Sequence, residues 1–353
     1  MKVGILTFYN TTNYGASLQA FALYKKLSEF CLCDIVRYHC QSIEQREFVL
    51  FPRFELSLYR YLRNWKYFIL FWKRKKSIKK FLRDYASLSP KEYCRNNLHQ
   101  MNEDYDVFIV GSDMVWEQGI TNCDYTFFLD FAPQNKKYSY AASIGKKNIE
   151  NEKKVVPLWN DFSQLSVREI STFDTLKKYC TNPIRMDLDP TLLFDSVFWE
   201  KYEDEPKEMP QNFLLLYMLD GEGVMLSAAM KYAKELNLEL VLVSEQMRGV
   251  PNCKIIRGAS VGCFLRLLHK ASLVITGSYH GLLFSLNYNT PFYYFNRANG
   301  SRMESIAKIF GMENRNLSLQ QETPNYDIDF TNFNTKIQQL RTESESYLKS
   351  IVR

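Results

Sequence analysis

The chain has 353 residues, 46% hydrophobic and 24% charged, with a formal net charge of +6. That length and composition support a sizeable core and suggest two domains rather than one. Eight cysteines at irregular spacings, with no Cys-x-x-Cys pair, exclude a zinc finger and give no disulfide framework.

The opening "MKVGILTFYN" reads as a short buried strand, not a basic-then-apolar leader. No apolar run reaches the roughly 18–20 residues that a membrane span needs. The expectation is therefore a cytoplasmic, reduced protein. After a turn at Asn10–Asn13, helical spacing begins near Gly15, with Leu18, Phe21, Ala22 and Leu27 on one stripe. "CDIVRYH" follows as a second strand. Cys31, Cys33, His39 and Cys40 fit no zinc spacing and are read as idle thiols and an ordinary histidine, as are His99 and His269.

Residues 53–84 then hold eleven Lys or Arg against Glu55 and Asp84, an excess of nine, so the rest of the chain is slightly acidic at −3. The segment is also rich in Tyr, Trp, Phe and Leu. It is either a solvated helix pair or a surface that lies on an anionic membrane. No nucleic-acid motif accompanies it, and no nucleic-acid partner is expected.

Further strands are read at "YDVFIVGSD", "KKYSYAASIG" and "QLSVREIST". The charged stretch between Phe194 and Pro210 reads as a linker. A second alternation follows: strand "NFLLLYML", helix Val224 to Leu236, strand "LELVLVS", helix "SVGCFLRLLHKA", strand "SLVITGS" and strand "PFYYFN". Strands separated by helices imply parallel sheets with right-handed crossovers. The expected fold is α/β: one Rossmann-like domain at 1–195 carrying the basic insert 53–84, a second at 210–325, and a helix within 326–353 packing back. Ligands of such sheets bind beyond the carboxyl ends of the strands.

Four polar clusters follow predicted strands: Asn13-Tyr14-Gly15, Gly111-Ser112-Asp113, Ser166-Val167-Arg168-Glu169 and Ser278-Tyr279-His280-Gly281. Glycine lets backbone approach a ligand, and a helix N-terminus offers free N–H groups to an anion. His280 either faces such an anion as donor or acid, or caps its helix. Arg168 either grips a carboxylate or phosphate or pairs with Glu169. Asp113 either accepts a hydroxyl proton or caps a helix. Asn13 and Tyr14 either bond a sugar or shape the turn. Asp189, before Pro190, reads as a helix cap. No Gly-x-x-x-x-Gly-Lys loop occurs and no Gly-x-Gly-x-x-Gly follows the first strand, which argues against ATP and a dinucleotide.

In order, "GILTFYNTTNYGASLQAFAL", "DVFIVGSDMVW", "YSYAASIG", "LSVRE", "DLDPTLL" and "FLRLLHKASLVITGSYHGLLFSLNYNTPF" resemble the polysaccharide pyruvyl transferase family over Val3 to Phe292. The resemblance implies a glycosyltransferase-B-like architecture of two facing Rossmann-like domains, the site in the cleft. It implies transfer of pyruvate from phosphoenolpyruvate to two hydroxyls of a sugar as a cyclic ketal. The acceptor side is assigned to the first domain and the donor side to the second. Arg168 and His280 match the family's donor-binding positions. A further basic residue is expected past the histidine, with Arg302 the better match and Arg297 the alternative. Asp113 is preferred to Glu169 as the base, since Glu169 can orient Arg168. Ser112, Ser278, Tyr279 and Gly281 complete the expected binding set with Asn13 and Tyr14.

No metal or other cofactor is expected beyond the phosphoenolpyruvate donor. The acceptor implied is a polymer repeat or its precursor, and the basic segment favours an undecaprenyl-diphosphate-linked saccharide at the inner leaflet. Met114, Glu117 and Tyr279 stand where the family usually has Gln, Asn and Phe, and Leu282-Leu283 replaces a commoner small or polar pair. Two rivals remain: a nucleotide-sugar glycosyltransferase, for which Glu245 is the ribose-binding candidate, and a non-catalytic scaffold of a polysaccharide assembly complex.

Overall fold

The computed structural model describes residues 1–48, 58–145, 149, 151–206, 208–218, 223–244, 250–296, 301–319 and 326–353. Two compact units emerge. One comprises Met1–Glu47, Lys80–Leu193 and Lys336–Arg353; the other comprises Phe48–Lys79 and Phe194–Thr335.

The first unit is built on β1 (Lys2–Leu6), β2 (Leu32–Tyr38), β3 (Leu88–Tyr93), β4 (Val107–Val110) and β5 (Lys137–Ser139). They form an all-parallel sheet in the order β3-β2-β1-β4-β5. Val3 pairs with both Cys33 and Val107, so β1 lies at the centre. Val3, Ile5 and Leu6 are buried, as a parallel strand covered on both faces requires. A short pair, β6 (Leu165–Val167) and β7 (Ile184–Met186), continues this edge through single bridges Tyr138–Gln164 and Ala142–Val167. The helix Tyr14–Leu27 starts where the Asn13 side chain accepts the Gly15 N–H at 3.0 Å, satisfying a donor that the first turn leaves open.

The second unit holds β8 (Phe213–Tyr217), β9 (Glu239–Val243), β10 (Cys253–Ile256), β11 (Leu273–Thr276) and β12 (Phe292–Tyr294). They too are parallel, in the order β10-β9-β8-β11-β12. Both sheets thus have the order 3-2-1-4-5 within their own unit. In each, the crossover direction reverses beside the first strand, and that switch point is where open α/β sheets bind ligands.

The basic segment departs from its expected domain. The helix Leu58–Tyr85 contributes its first part, up to Lys79, to the second unit rather than the first. Its Leu70 carbonyl and Lys73 Cβ lie against Gly258, each 3.6 Å from where a Cβ would stand. Residues 53–57 lie outside the described residues. The last helix, Thr331–Ile351, returns to the first unit: Tyr347 Oη donates to the Ser139 carbonyl at 2.9 Å and Arg341 Nε to the Leu192 carbonyl at 2.7 Å.

Candidate active site

In the first unit, the switch point is the carboxyl end of β4. Gly111 there has φ +116, and a Cβ would stand 2.2 Å from the Tyr140 carbonyl oxygen, so only glycine fits. Ser112 is buried, its N–H donating to Gln19 Oε1 at 3.0 Å and its hydroxyl to the Ala141 carbonyl at 2.8 Å. Asp113 takes φ +73, a left-handed conformation that Asp tolerates better than most residues.

Arg168, just past β6, has a wholly buried side chain. Its Nη1 donates to Asp189 Oδ2 at 2.8 Å and to Ser112 Oγ at 3.2 Å, its Nη2 to Asp113 Oδ1 at 3.2 Å, and its Nε to Glu169 Oε2 at 3.4 Å. The guanidinium expected to grip a donor anion is therefore already surrounded by three carboxylates. A formal count gives the cluster −2. Glu169 is itself held by the hydroxyls of Ser143 and Thr172, the latter at 2.6 Å. Asp189 caps its turn as well, accepting the Thr191 N–H at 3.0 Å. Of the three acids Asp113 has the most exposed side chain, at 8% against 1% for Glu169 and 0% for Asp189. Asn13 sits on the cap described above, and Tyr14 is buried with no exposed surface.

In the second unit, the switch point is the carboxyl end of β11. Thr276 Oγ1 donates to the Tyr217 carbonyl at 2.9 Å and accepts the Ser278 N–H at 3.0 Å, which turns the chain. Ser278 then caps the helix Tyr279–Asn287, accepting the Gly281 N–H at 3.4 Å. A Cβ on Gly281 would lie 2.5 Å from Thr276 Oγ1 and 3.1 Å from the Tyr217 ring, so glycine sets how closely helix and strand pack. His280 is the second residue of that helix and is 5% exposed. Its ring meets Tyr279 edge-on, centroids 5.3 Å apart. On the same tyrosine ring stands the Arg302 guanidinium, 5.5 Å from the centroid. Arg297 and Glu245 lie outside the described residues.

One residue of this turn escaped the sequence reading. Burial pushes the Tyr217 phenol up, and the Arg74 guanidinium and the nearby Ser278 hydroxyl pull it back. Arg74 belongs to the basic helix, where composition suggested only a solvated or membrane-facing charge. Its signal in the sequence was indistinguishable from that of ten neighbouring cations. The second unit thus brings His280 and Arg302 to the Tyr279 ring, with the Arg74 charge felt at Tyr217 of the neighbouring strand.

The model for the polysaccharide pyruvyl transferase family matches residues 13–299. The chain belongs to the polysaccharide pyruvyl transferase family. It is accordingly a transferase of polysaccharide biosynthesis. Among solved structures, this pyruvyl transferase family member is similar to a Listeria monocytogenes protein assigned as a UDP-N-acetylglucosamine 2-epimerase. That match has 14% identity and a TM-score of 0.50, covering 100% of this chain and 90% of the other. It supports the glycosyltransferase-B-like α/β fold alone. UDP-GlcNAc 2-epimerase from Neisseria meningitidis aligns at 12% identity over 100% and 94% of the two chains, TM-score 0.48. ADP-heptose lps heptosyltransferase II of E. coli aligns at 10% over 98% and 100%, TM-score 0.40. No curated protein matches the chain.

Proposed function

We propose that this family member transfers the pyruvate of phosphoenolpyruvate onto two hydroxyls of a sugar as a cyclic ketal, in capsule, exopolysaccharide or related cell-surface glycan synthesis. The observation that carries the reading is the cationic turn of the second unit, where Arg302 stands over Tyr279 beside His280. Phosphoenolpyruvate bears a carboxylate and a phosphate, so it needs converging cations. Arg302 supplies a charge at the turn, Arg74 of the basic helix is proposed as a second, and the helix N-terminus adds N–H donors.

Protonation of the donor's methylene carbon, with His280 as acid, develops positive charge at the central carbon. A sugar hydroxyl attacks there, phosphate leaves, and the second hydroxyl closes the ring. Of the two hydroxyl protons released, one balances the proton now on the methyl group and the other departs with phosphate. Asp113 receives the first. Arg168 acts here as a positioning residue: it holds Asp113 in place and has no unopposed charge to offer a donor. The scheme uses no metal.

The acceptor is read as an undecaprenyl-diphosphate-linked saccharide, met at the inner face of the membrane. The exposed face of the basic helix supports this. Among the described residues no helix is long and apolar enough to cross a membrane, and surface contact is the mode such a helix suits.

The test is thermal unfolding of the full chain with phosphoenolpyruvate, with UDP-hexoses and with buffer. A ligand that binds only the folded state adds about 2.7 kcal/mol at a hundredfold excess over Kd. Phosphoenolpyruvate should raise the Tm of the wild type, and Arg302→Ala and Arg74→Ala should each abolish most of the rise. A rise with a UDP-sugar alone would overturn the reading in favour of a nucleotide-sugar transferase. No rise with either ligand would favour the scaffold.

A further inference from the structure

A cavity of about 520 Å³ opens on the first unit at the carboxyl ends of β2 and β3. That edge is the ligand-binding edge of a parallel sheet, and the volume lies within the range of small-molecule sites. It is separate from the Arg168 cluster in its residues. Tyr38 and His39 enter it from the end of β2, Arg95 and Asn96 from the end of β3, and Glu44 from the helix Gln41–Phe48. Asp124 and Tyr125 come from the connection between β4 and β5. The same connection carries Asp113 near its start, so cavity and acid are built on one segment.

The lining selects the ligand class. His39 is flanked by two carboxylates, Nδ1 to Glu44 Oε1 at 2.7 Å and Nε2 to Glu92 Oε2 at 3.2 Å. Arg95 is gripped at two points by Asp130, one of them at 2.7 Å. Arg37 also pairs with Glu92, at 2.9 Å, and Lys154 stands over the Tyr125 ring, 5.0 Å from its centroid, so with His39 counted as charged four cations stand against the four acids Glu44, Glu92, Asp130 and Asp124. With the charges balanced, a phosphate or carboxylate finds no net positive charge here, which disfavours the donor. An apolar guest would leave the polar groups of the lining without partners, which disfavours it. Among the described residues no group of three or more His, Cys, Asp or Glu side chains is placed to hold a metal ion.

What remains is an uncharged ligand rich in hydroxyls. The acceptors are already oriented for one. Asp124 is fixed by Tyr38 Oη at 2.6 Å and by the Thr126 N–H at 3.0 Å, and Glu44 by His39 and by Asn10 Nδ2 at 3.2 Å. Each carboxylate has about four lone-pair sites, of which these bonds use two. Tyr125 and Tyr38 add aromatic surface with a polar tip, suited to a sugar's mixed faces.

We propose that this cavity binds a neutral sugar ring, as a subsite for a saccharide unit of the acceptor adjoining the one that is modified. The binding part stands on the cavity alone; its assignment to the acceptor rests on the transferase reading above.

The experiment is saturation-transfer NMR on the full chain with the methyl glycosides of glucose, galactose, mannose and N-acetylglucosamine, and with putrescine as a cationic control. Tyr125→Ala and Asn96→Ala provide the variants, each at a partly or fully exposed position, with folding checked by circular dichroism. At least one glycoside should receive saturation from the wild type and lose most of it in both variants. The proposal is overturned if no glycoside receives saturation, if the variants leave the signal intact, or if putrescine alone responds. The melting shift with phosphoenolpyruvate, recorded on the same samples, reports the donor reading separately. Its absence in a protein that binds glycosides at this cavity would sink the pyruvyl donor and leave the subsite standing.

Discussion

Arg168 carries a full charge on a side chain with no exposed surface, and what makes that tolerable is the set of carboxylates around it. Removing one partner of a buried ionic cluster leaves the others uncompensated, at a cost of about 3–5 kcal/mol. Arg168→Met should therefore lower stability by that amount, read as a reduced urea midpoint. Asp113 is buried too, but its side chain keeps slightly more exposure than those of Glu169 and Asp189, which fits a residue proposed to meet substrate. Asp113→Asn keeps the shape and one acceptor atom but loses the base, so kcat should fall by about 10²–10⁴-fold while the phosphoenolpyruvate melting shift persists. Unchanged kcat would remove Asp113 from the mechanism. At this scale the sequence was legible where contacts are local: the Arg168–Glu169 pair and the Asp189 cap both fall within a few residues. The bonds from Arg168 to Asp113 and Asp189 were not, since strand ends separated by 55 and 21 residues meet only after the sheet forms.

The basic helix Leu58–Tyr85 shows what composition reveals about an element and what it conceals. Its composition announced cations interleaved with aromatics, but apolar residues recur on nearly every face, so no single stripe marked the side that packs. In the structure Phe71, Lys75 and Ile78 are buried, whereas Leu62, Ile69 and Trp72 are 58%, 50% and 46% exposed. Lys66, Lys73 and Lys76 are exposed among them. Lysines around exposed apolar side chains suit an anionic bilayer, each contributing about 1 kcal/mol near the surface. The full chain should float with vesicles containing anionic lipid at low salt and be released as salt rises. Ile69→Glu together with Trp72→Ala should cut binding at least about tenfold, since each buried apolar side chain adds roughly 1.5–3 kcal/mol. Binding that ignores both salt and these substitutions would dismiss the helix as the membrane contact. Other elements were missed for a plain reason. β3 reads "LSPKEY", with a proline and two charges, as an edge strand permits. β7 is three residues long, and β10 is an edge strand of four.

Over the whole molecule, the alternation of strands and helices was enough to anticipate two parallel sheets, yet not their shared 3-2-1-4-5 order, because crossover order leaves no local trace in the residues. Nor does the pattern announce how many phenols the two units bury. Burial raises Tyr38, Tyr93 and Tyr105, and hydrogen bonds to Asp124, Asp104 and Asp34 respectively raise them further. Burial pushes Tyr140 and Tyr347 well above the ordinary range, with Asp187 adding to both, and in the second unit burial raises Tyr288 beside Glu203. The sign follows from linkage. A phenol whose folded pKa exceeds its unfolded value of about 10 keeps its proton in the native state after the unfolded chain has released it. Stability from these groups is complete below pH about 10 and is lost as pH rises toward the folded values. Each such tyrosine steepens the decline by up to about 1.4 kcal/mol per pH unit. Alkaline titration should therefore be biphasic. Exposed tyrosines should ionise first with far-ultraviolet ellipticity unchanged, and the buried set should then ionise together with cooperative loss of ellipticity. If phenolate absorbance reaches its full amplitude while the ellipticity is still native, these tyrosines do not hold their protons through the fold, and their ionisation is not what limits alkaline stability.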